Sequence, residues 1–186
     1  MKLHIRNMVC NRCKMVVKAE LEKLGFIPTS IELGEVTFDR EISDTEKGII
    51  DDHLQQVGFA LIDNKKGMMI ERIKTLIVDL VHHQNNELKT NLSDYIVSQL
   101  HHDYSYITNL FSEVEGTTIE KYFIAQKIER VKELLVYDEM TLSEIAYHLH
   151  YSSVAHLSNQ FKKVTGLTPS HFKHIRSEKR KPLDEV

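Results

Sequence analysis

The sequence predicts an α+β chain whose β-structure is confined to its N-terminal part. Two observations carry that prediction. Up to about residue 65, short stretches alternate apolar and polar residues between Gly25, Pro28, Gly34 and Gly58; beyond it, apolar residues recur at three and four, the helical period. In addition, residues 91–140 and 141–181 align at a constant offset of 50 positions without a gap. The alignment pairs Ile107 with Leu157, Asn109 with Asn159, Phe111 with Phe161, Gly116 with Gly166, Thr118 with Thr168 and Tyr122 with Phe172. A repeat that keeps its apolar positions and its helix-ending glycine duplicates a supersecondary unit.

Composition sets the class. Of the 186 residues 41% are hydrophobic and 27% charged, enough apolar material for a folded core. No apolar run approaches the ~20 residues of a membrane span, and no signal-peptide pattern opens the chain, so a cytoplasmic protein is expected. In that reducing compartment the only two cysteines, Cys10 and Cys13, read as metal ligands or a redox pair rather than a structural disulfide. The net charge of -3 is unevenly spread. Residues 91–140 hold 4 Lys+Arg against 9 Asp+Glu, a balance of -5, whereas residues 141–181 hold 7 against 2, or +5. Local cations displace counterions from phosphates, so the second copy is the electrostatic candidate for nucleic-acid binding. No nucleophile–base pair or open hydrolytic metal site is recognisable, which argues against an enzyme.

The N-terminal elements follow in order. Leu3–Asn7 alternates as a strand; Val16, Val17, Leu21 and Leu24 form a helical stripe; Ile31–Leu33 and Val36–Phe38 are short strands; Glu46–Val57 is helical; Ala60–Ile62 closes the set. This βαββαβ order is the ferredoxin-like plan, assigned to a domain over residues 1–65. Asp63-Asn64-Lys65-Lys66-Gly67 is polar, ends in glycine and is the expected boundary. Met8-Val9-Cys10-Asn11-Arg12-Cys13 places two thiols where the first strand gives way to the first helix. Such thiols can grip one soft ion, and a helix N-terminus favours the thiolate that binds it. Four zinc ligands cannot come from the cysteines of one chain, which has only two.

These residues resemble heavy-metal-associated domains, with their Met-x-Cys-x-x-Cys loop and Gly58-Phe59 before the last strand. The resemblance implies copper(I) held by Cys10 and Cys13, with zinc or another soft metal as the alternative. Met8 is expected to be a buried anchor for the loop rather than a ligand. Asn7 stands where the family commonly has glycine.

Beyond the boundary, Met69, Ile70, Ile73, Ile77, Leu80 and Val81 mark an amphipathic helix that should pack on the first repeat. In the second copy, Thr141 with Glu144 predicts a capping box opening a helix over Leu142, Ile145, Ala146 and Leu149. His150-Tyr151-Ser152 is the turn, Ser153 caps a helix through Leu157, Phe161 and Val164, Gly166 ends it, and Thr168-Pro169 starts another. Two short helices joined by a tight turn make a helix-turn-helix.

The segment Ile145-Ala146, Tyr151-Ser152-Ser153, Leu157, Phe161-Lys162, Gly166, Thr168-Pro169 and Phe172 resembles the signature of the AraC/XylS transcription regulators. That resemblance implies an all-α domain over 68–181, with helix-turn-helix units at about 91–116 and 141–166 joined by a long helix over 118–136. The family usually has glycine at the position of His150, where φ is often positive. By position in the motif, the base-facing places are Ala155, His156 and Asn159, with Ser153 and Ser158 near phosphates, and Ser105, Thr108 and Asn109 in the first copy. Asn can contact adenine in bidentate fashion, Ala155 can touch only a thymine methyl, and Lys162 and Lys163 would meet the phosphate backbone. The first copy has no Lys or Arg between residues 90 and 120 to neutralise a phosphate.

Together these features predict a regulator of double-stranded DNA that responds to a soft metal ion. The ion would be held within one subunit or would bridge the thiols of a homodimer. Two alternatives stand beside it: delivery of metal to a transport protein from a module fixed to a constitutive DNA-binding domain, and a dithiol redox switch.

Overall fold

In the computed structural model, which describes residues 1–62, 64–84, 88, 90–137 and 140–175, the alternation of Leu3 and Ile5 with polar neighbours forms β1 (Lys2–Arg6). Asp63 of the expected boundary and residues 176–181 of the expected C-terminal domain lie outside the described residues. Contacts divide the chain into two units, Met1–Leu76 and Ile77 onward.

The first unit continues with α1 (Asn11–Lys23), β2 (Ser30–Glu32), β3 (Glu35–Thr37), α2 (Asp44–Gln55) and β4 (Ala60–Ile62). Its four strands are antiparallel in the order β2-β3-β1-β4, with Leu3 opposite Val36 and Ile5 opposite Leu61. Because side chains alternate across a strand, Leu3, Ile5 and Val36 share one face. They join Val17 and Leu21 of α1 and Ile50 and Leu54 of α2 in one buried cluster. The first strand stops at Arg6, one residue short of the expected Asn7, because Asn7 turns into the left-handed region at φ 67. The second helix starts at Asp44, two residues before the expected Glu46. Ser43 forms a capping box with Glu46 there: the Glu46 amide donates to Ser43 Oγ at 3.3 Å, and the Ser43 amide donates to Glu46 Oε2 at 2.8 Å.

Helix α3 (Lys65–His82) contributes to both units. In the first, its Glu71 accepts the Asn7 amide at 3.3 Å and stands 3.8 Å from Arg6 Nε. In the second, its Asp79 faces Tyr95 of α4 (Leu92–Leu100), so burial and that carboxylate push the Tyr95 hydroxyl above its usual pKa. His82 Nε2 lies 3.1 Å from Gln126 Oε1 on α6 (Ile119–Tyr137).

The second unit realises the repeat. Helices α5 (Tyr104–Glu115) and α8 (Val154–Thr165) are both 12 residues long and begin 50 positions apart. Each ends in a left-handed glycine, Gly116 at φ 66 and Gly166 at φ 78. A Cβ at either would meet nothing, so the backbone angle itself is the reason for glycine. The paired rings also repeat. Phe111 packs against Tyr122 with centroids 5.7 Å apart, and Phe161 against Phe172 at 5.5 Å. Thr141 forms the expected capping box with Glu144 at the start of α7 (Leu142–His148), and α9 (Pro169–Ile175) opens on the expected proline.

The two turns are not equivalent. In the second copy the left-handed residue is His150, at φ 53; in the first it is His101, at φ 54, one place later in register, because α4 runs to Leu100 while α7 stops at His148. A non-glycine residue there is strained by about 1–2 kcal/mol. His150→Gly removes that strain, less the entropy glycine adds to the unfolded chain. A gain of about 0.5–1 kcal/mol is expected, read as a raised urea midpoint at unchanged m-value.

Candidate nucleic-acid interface and candidate metal centre

The surface of α8 is set by what it buries. Leu157 and Phe161 anchor it in the core of the second copy with Ile145, Leu149 and Phe172. Their spacing leaves Ala155, His156, Asn159, Lys162 and Lys163 exposed, while Ser158 is half-buried. Ser153 caps the helix, its Oγ accepting the His156 amide at 3.0 Å. Lys162 and Lys163 form no ion pair among the described residues, so both charges are available to an anion.

In α5 the corresponding groups are occupied locally. The Ser105 hydroxyl is bonded to the Asp103 carboxylate, and Thr108 Oγ1 donates to the Tyr104 carbonyl at 2.9 Å. Asn109 is exposed. Asp103 caps the helix through the amides of Ser105 and Tyr106, and these bonds, that of the Ser105 hydroxyl first, hold its carboxyl below the usual range. The Tyr104 hydroxyl donates to Glu120 at 2.6 Å. The structure thus separates the candidates: in α8 Ala155, His156, Asn159, Lys162 and Lys163 are exposed, with Ser153 used as the cap and Ser158 half-buried, whereas in α5 two of the three are tied to their own helix.

Sequence reasoning passed over the support beneath α8. Tyr151 in the turn is buried, its hydroxyl donates to Gln160 Oε1 at 2.7 Å, and Lys127 Nζ of α6 lies 3.9 Å from the centre of its ring. A usable signal existed: position 127 is three after Ile124 and four before Val131, in phase with the apolar stripe.

The thiols stand in the first unit. Cys10 is the extended N-cap of α1 and Cys13 lies in its first turn, with Sγ atoms 3.2 Å apart. Burial alone would raise the Cys10 thiol, but hydrogen bonds from the Cys13 backbone and thiol, and the Arg12 backbone and charge, outweigh it and lower its pKa. Cys13 is raised, by burial and by the Cys10 sulfur. Cys10 is therefore the first to ionise. Met8 is 1% exposed and anchors the loop in the core. Asn7, left-handed where the resembled family carries glycine, ties the loop to the neighbouring turn through Nδ2, which donates to Gly58 O at 3.1 Å. No group of three or more His, Cys, Asp or Glu able to hold a metal occurs among the described residues.

Burial lowers the Lys127 pKa to about 8. Below that value the folded chain holds a buried cation; between about 8 and the ordinary lysine value near 10.4 the unfolded chain binds more protons, so stability rises with pH across that window. Lys127→Met should abolish that rise in denaturant midpoints measured from pH 7 to 10.

Among known proteins, residues 96–175 match the family described as a helix-turn-helix domain. A 74-residue segment is 30% identical to the xylose operon regulatory protein of Escherichia coli K12, and to that of strain O157:H7, covering 40% of this chain. The match is only 19% of each relative, so the chain spans about a fifth of their length. The solved C-terminal domain of AraT, a response regulator from Geobacillus stearothermophilus, superposes with a TM-score of 0.51 at 21% identity, over 62% of this chain and 93% of that one. This likeness shows a shared fold. No helix among the described residues is long and apolar enough to cross a membrane. Over residues 96–175 the chain is thus similar to helix-turn-helix domains.

Proposed function

We propose that this chain is a DNA-binding transcriptional regulator that responds to copper(I) bound by Cys10 and Cys13. The observation that carries the DNA-binding part is α8 itself. Inside a matched helix-turn-helix domain, it is a capped and anchored helix whose open face holds Asn159, His156 and two unpaired lysines. A helix of this form fits the major groove, reading bases with its N-terminal half and meeting phosphates with its lysines. Most of the affinity rests on the second copy, because the first has no cation on its exposed helix and has committed Ser105 and Thr108 to local bonds.

The metal part rests on the thiol pair. Sulfurs 3.2 Å apart lie within twice a metal–thiolate bond of ~2.3 Å, so one ion can touch both. Thiolates select copper(I) and zinc among available ions, and a structural zinc needs four ligands. Two thiols that join no group of three His, Cys, Asp or Glu among the described residues suit copper(I) in one chain, or an ion shared with the thiols of a second copy. The βαββαβ order with strands β2-β3-β1-β4 agrees with a ferredoxin-like, heavy-metal-associated module. One further reading has its own observation: a lowered Cys10 beside a raised Cys13 is the asymmetry of a dithiol switch, in which two thiols lose two electrons and two protons to form a disulfide.

Gel shifts of the reduced chain with and without copper(I) test the sensing role. Operator affinity should change five-fold or more, the usual lower scale of coupling between sites, and the change should vanish in Cys10→Ser and Cys13→Ser. A change produced by an oxidant without metal, reversed by a dithiol, identifies the redox reading; metal transfer to a transport protein with no effect on DNA identifies a delivery role. Independently, Lys162→Ala with Lys163→Ala should weaken binding more than Ser105→Ala with Thr108→Ala. The lysine pair should also lower the slope of log affinity against log salt by about 0.9 per lysine.

A further inference from the structure

Resting on the reading of α8 as the helix that meets DNA, we propose that His156 is a positioned hydrogen-bond donor that specifies a guanine in the binding site. The ring of His156 is exposed, yet it is held on two sides. Its Nδ1 lies 3.0 Å from Ser152 Oγ, and it meets the Tyr151 ring edge-to-face at 5.3 Å and 83°. Tyr151 is itself held from beneath by Lys127 and tied to α8 through Gln160. An exposed side chain ordinarily loses rotamer entropy on binding; one already constrained by its neighbours loses less.

The constraint also decides which nitrogen faces a ligand. With Nδ1 committed to Ser152, Nε2 on the opposite edge is the nitrogen left to meet a base, and it has no partner among the described residues. When the Ser152 hydroxyl donates to Nδ1, the proton of the neutral ring sits on Nε2. When the ring carries both protons, Nδ1 donates to Ser152 and Nε2 again carries a proton. In these two states, which are the ones assigned to the ring, the outward group is a donor; only the neutral tautomer with its proton on Nδ1 would make Nε2 an acceptor, suited to the amino groups of adenine or cytosine. Guanine offers that donor two adjacent acceptors, O6 and N7, in the major groove. Adenine places an amino group beside its N7, and thymine a methyl beside its O4. Ser152 is the positioning residue, acting through His156.

The full chain is used to select sites from a random duplex library, and each position of the selected site is then varied. One position should prefer guanine by roughly tenfold, within the range of a good base contact. Replacing that base with 7-deazaguanine, which lacks the N7 acceptor, should weaken binding by the wild type but not by His156→Ala. His156→Ala should flatten the preference at that position alone, and Ser152→Ala should reduce it while leaving the salt slope unchanged. A preference for adenine or cytosine at that position, or a guanine preference indifferent to His156→Ala, overturns the proposal. A chain that retains no DNA even at low salt overturns the underlying DNA-binding reading instead.

Discussion

The second unit depends on the burial of α6 by two neighbours at once. Its first turns carry Ile119 and Tyr122, the latter packed at a tilt against Phe111 of α5; its later turns carry Ile128, Val131 and Leu135 into the cluster that holds Phe161 and Phe172. Beyond its first turn, where Glu120 and Lys121 are exposed, α6 is covered on most sides, and Gln126, Lys127, Glu129 and Lys132 are buried with it. Each must find a partner, because an unpaired polar group in the interior is destabilising. Gln126 donates to the Tyr122 hydroxyl, Lys132 bonds Glu129, and Lys127 turns its ammonium onto the face of Tyr151. Structural necessity in α6 thereby reaches the turn that sets α8.

That link gives the two copies different work. Matching core positions give α5 and α8 equal length, a left-handed glycine cap and a packed ring pair each, although the helices and turns that precede them differ. The exposed positions are free to diverge, and they have. In α5 an acidic cap captures the neighbouring serine hydroxyl, and a threonine bonds back to its own helix; in α8 a serine cap leaves the imidazole to pair with Ser152, and the lysines reach solvent. In the first unit the same economy of local bonds orders the thiols, where helix start, amides and Arg12 make Cys10 the more acidic sulfur.

Much of this was legible in the chain of residues. Apolar period, capping pairs and helix-ending glycines are local signals, and they placed α7, α8, α9 and the gap-free repeat. The misses were local too. The Ser43–Glu46 capping box lies in the sequence and moves the start of α2, but it precedes the first apolar residue of that helix. Asn7 ends β1 through a left-handed angle that alternation cannot reveal. The candidate positions came from the family resemblance, carried over one by one, and the structure finds Ala155, His156, Asn159, Lys162 and Lys163 exposed on α8.

The sequence by itself therefore determined the element order, the repeat, the cation balance between its copies and the pairing of two cysteines at a helix start. Each of these is fixed by residue spacing and by angles that few residue types tolerate. Only the tertiary structure decided that Lys127, distant in sequence from Tyr151, underlies the turn, that Ser105 and Thr108 are occupied while Lys162 and Lys163 are not, and that the His156 ring is held by Ser152 at Nδ1 and by the edge of Tyr151. Those outcomes depend on which side chain reaches which neighbour once the helices pack, and that competition for partners is settled by distance in space.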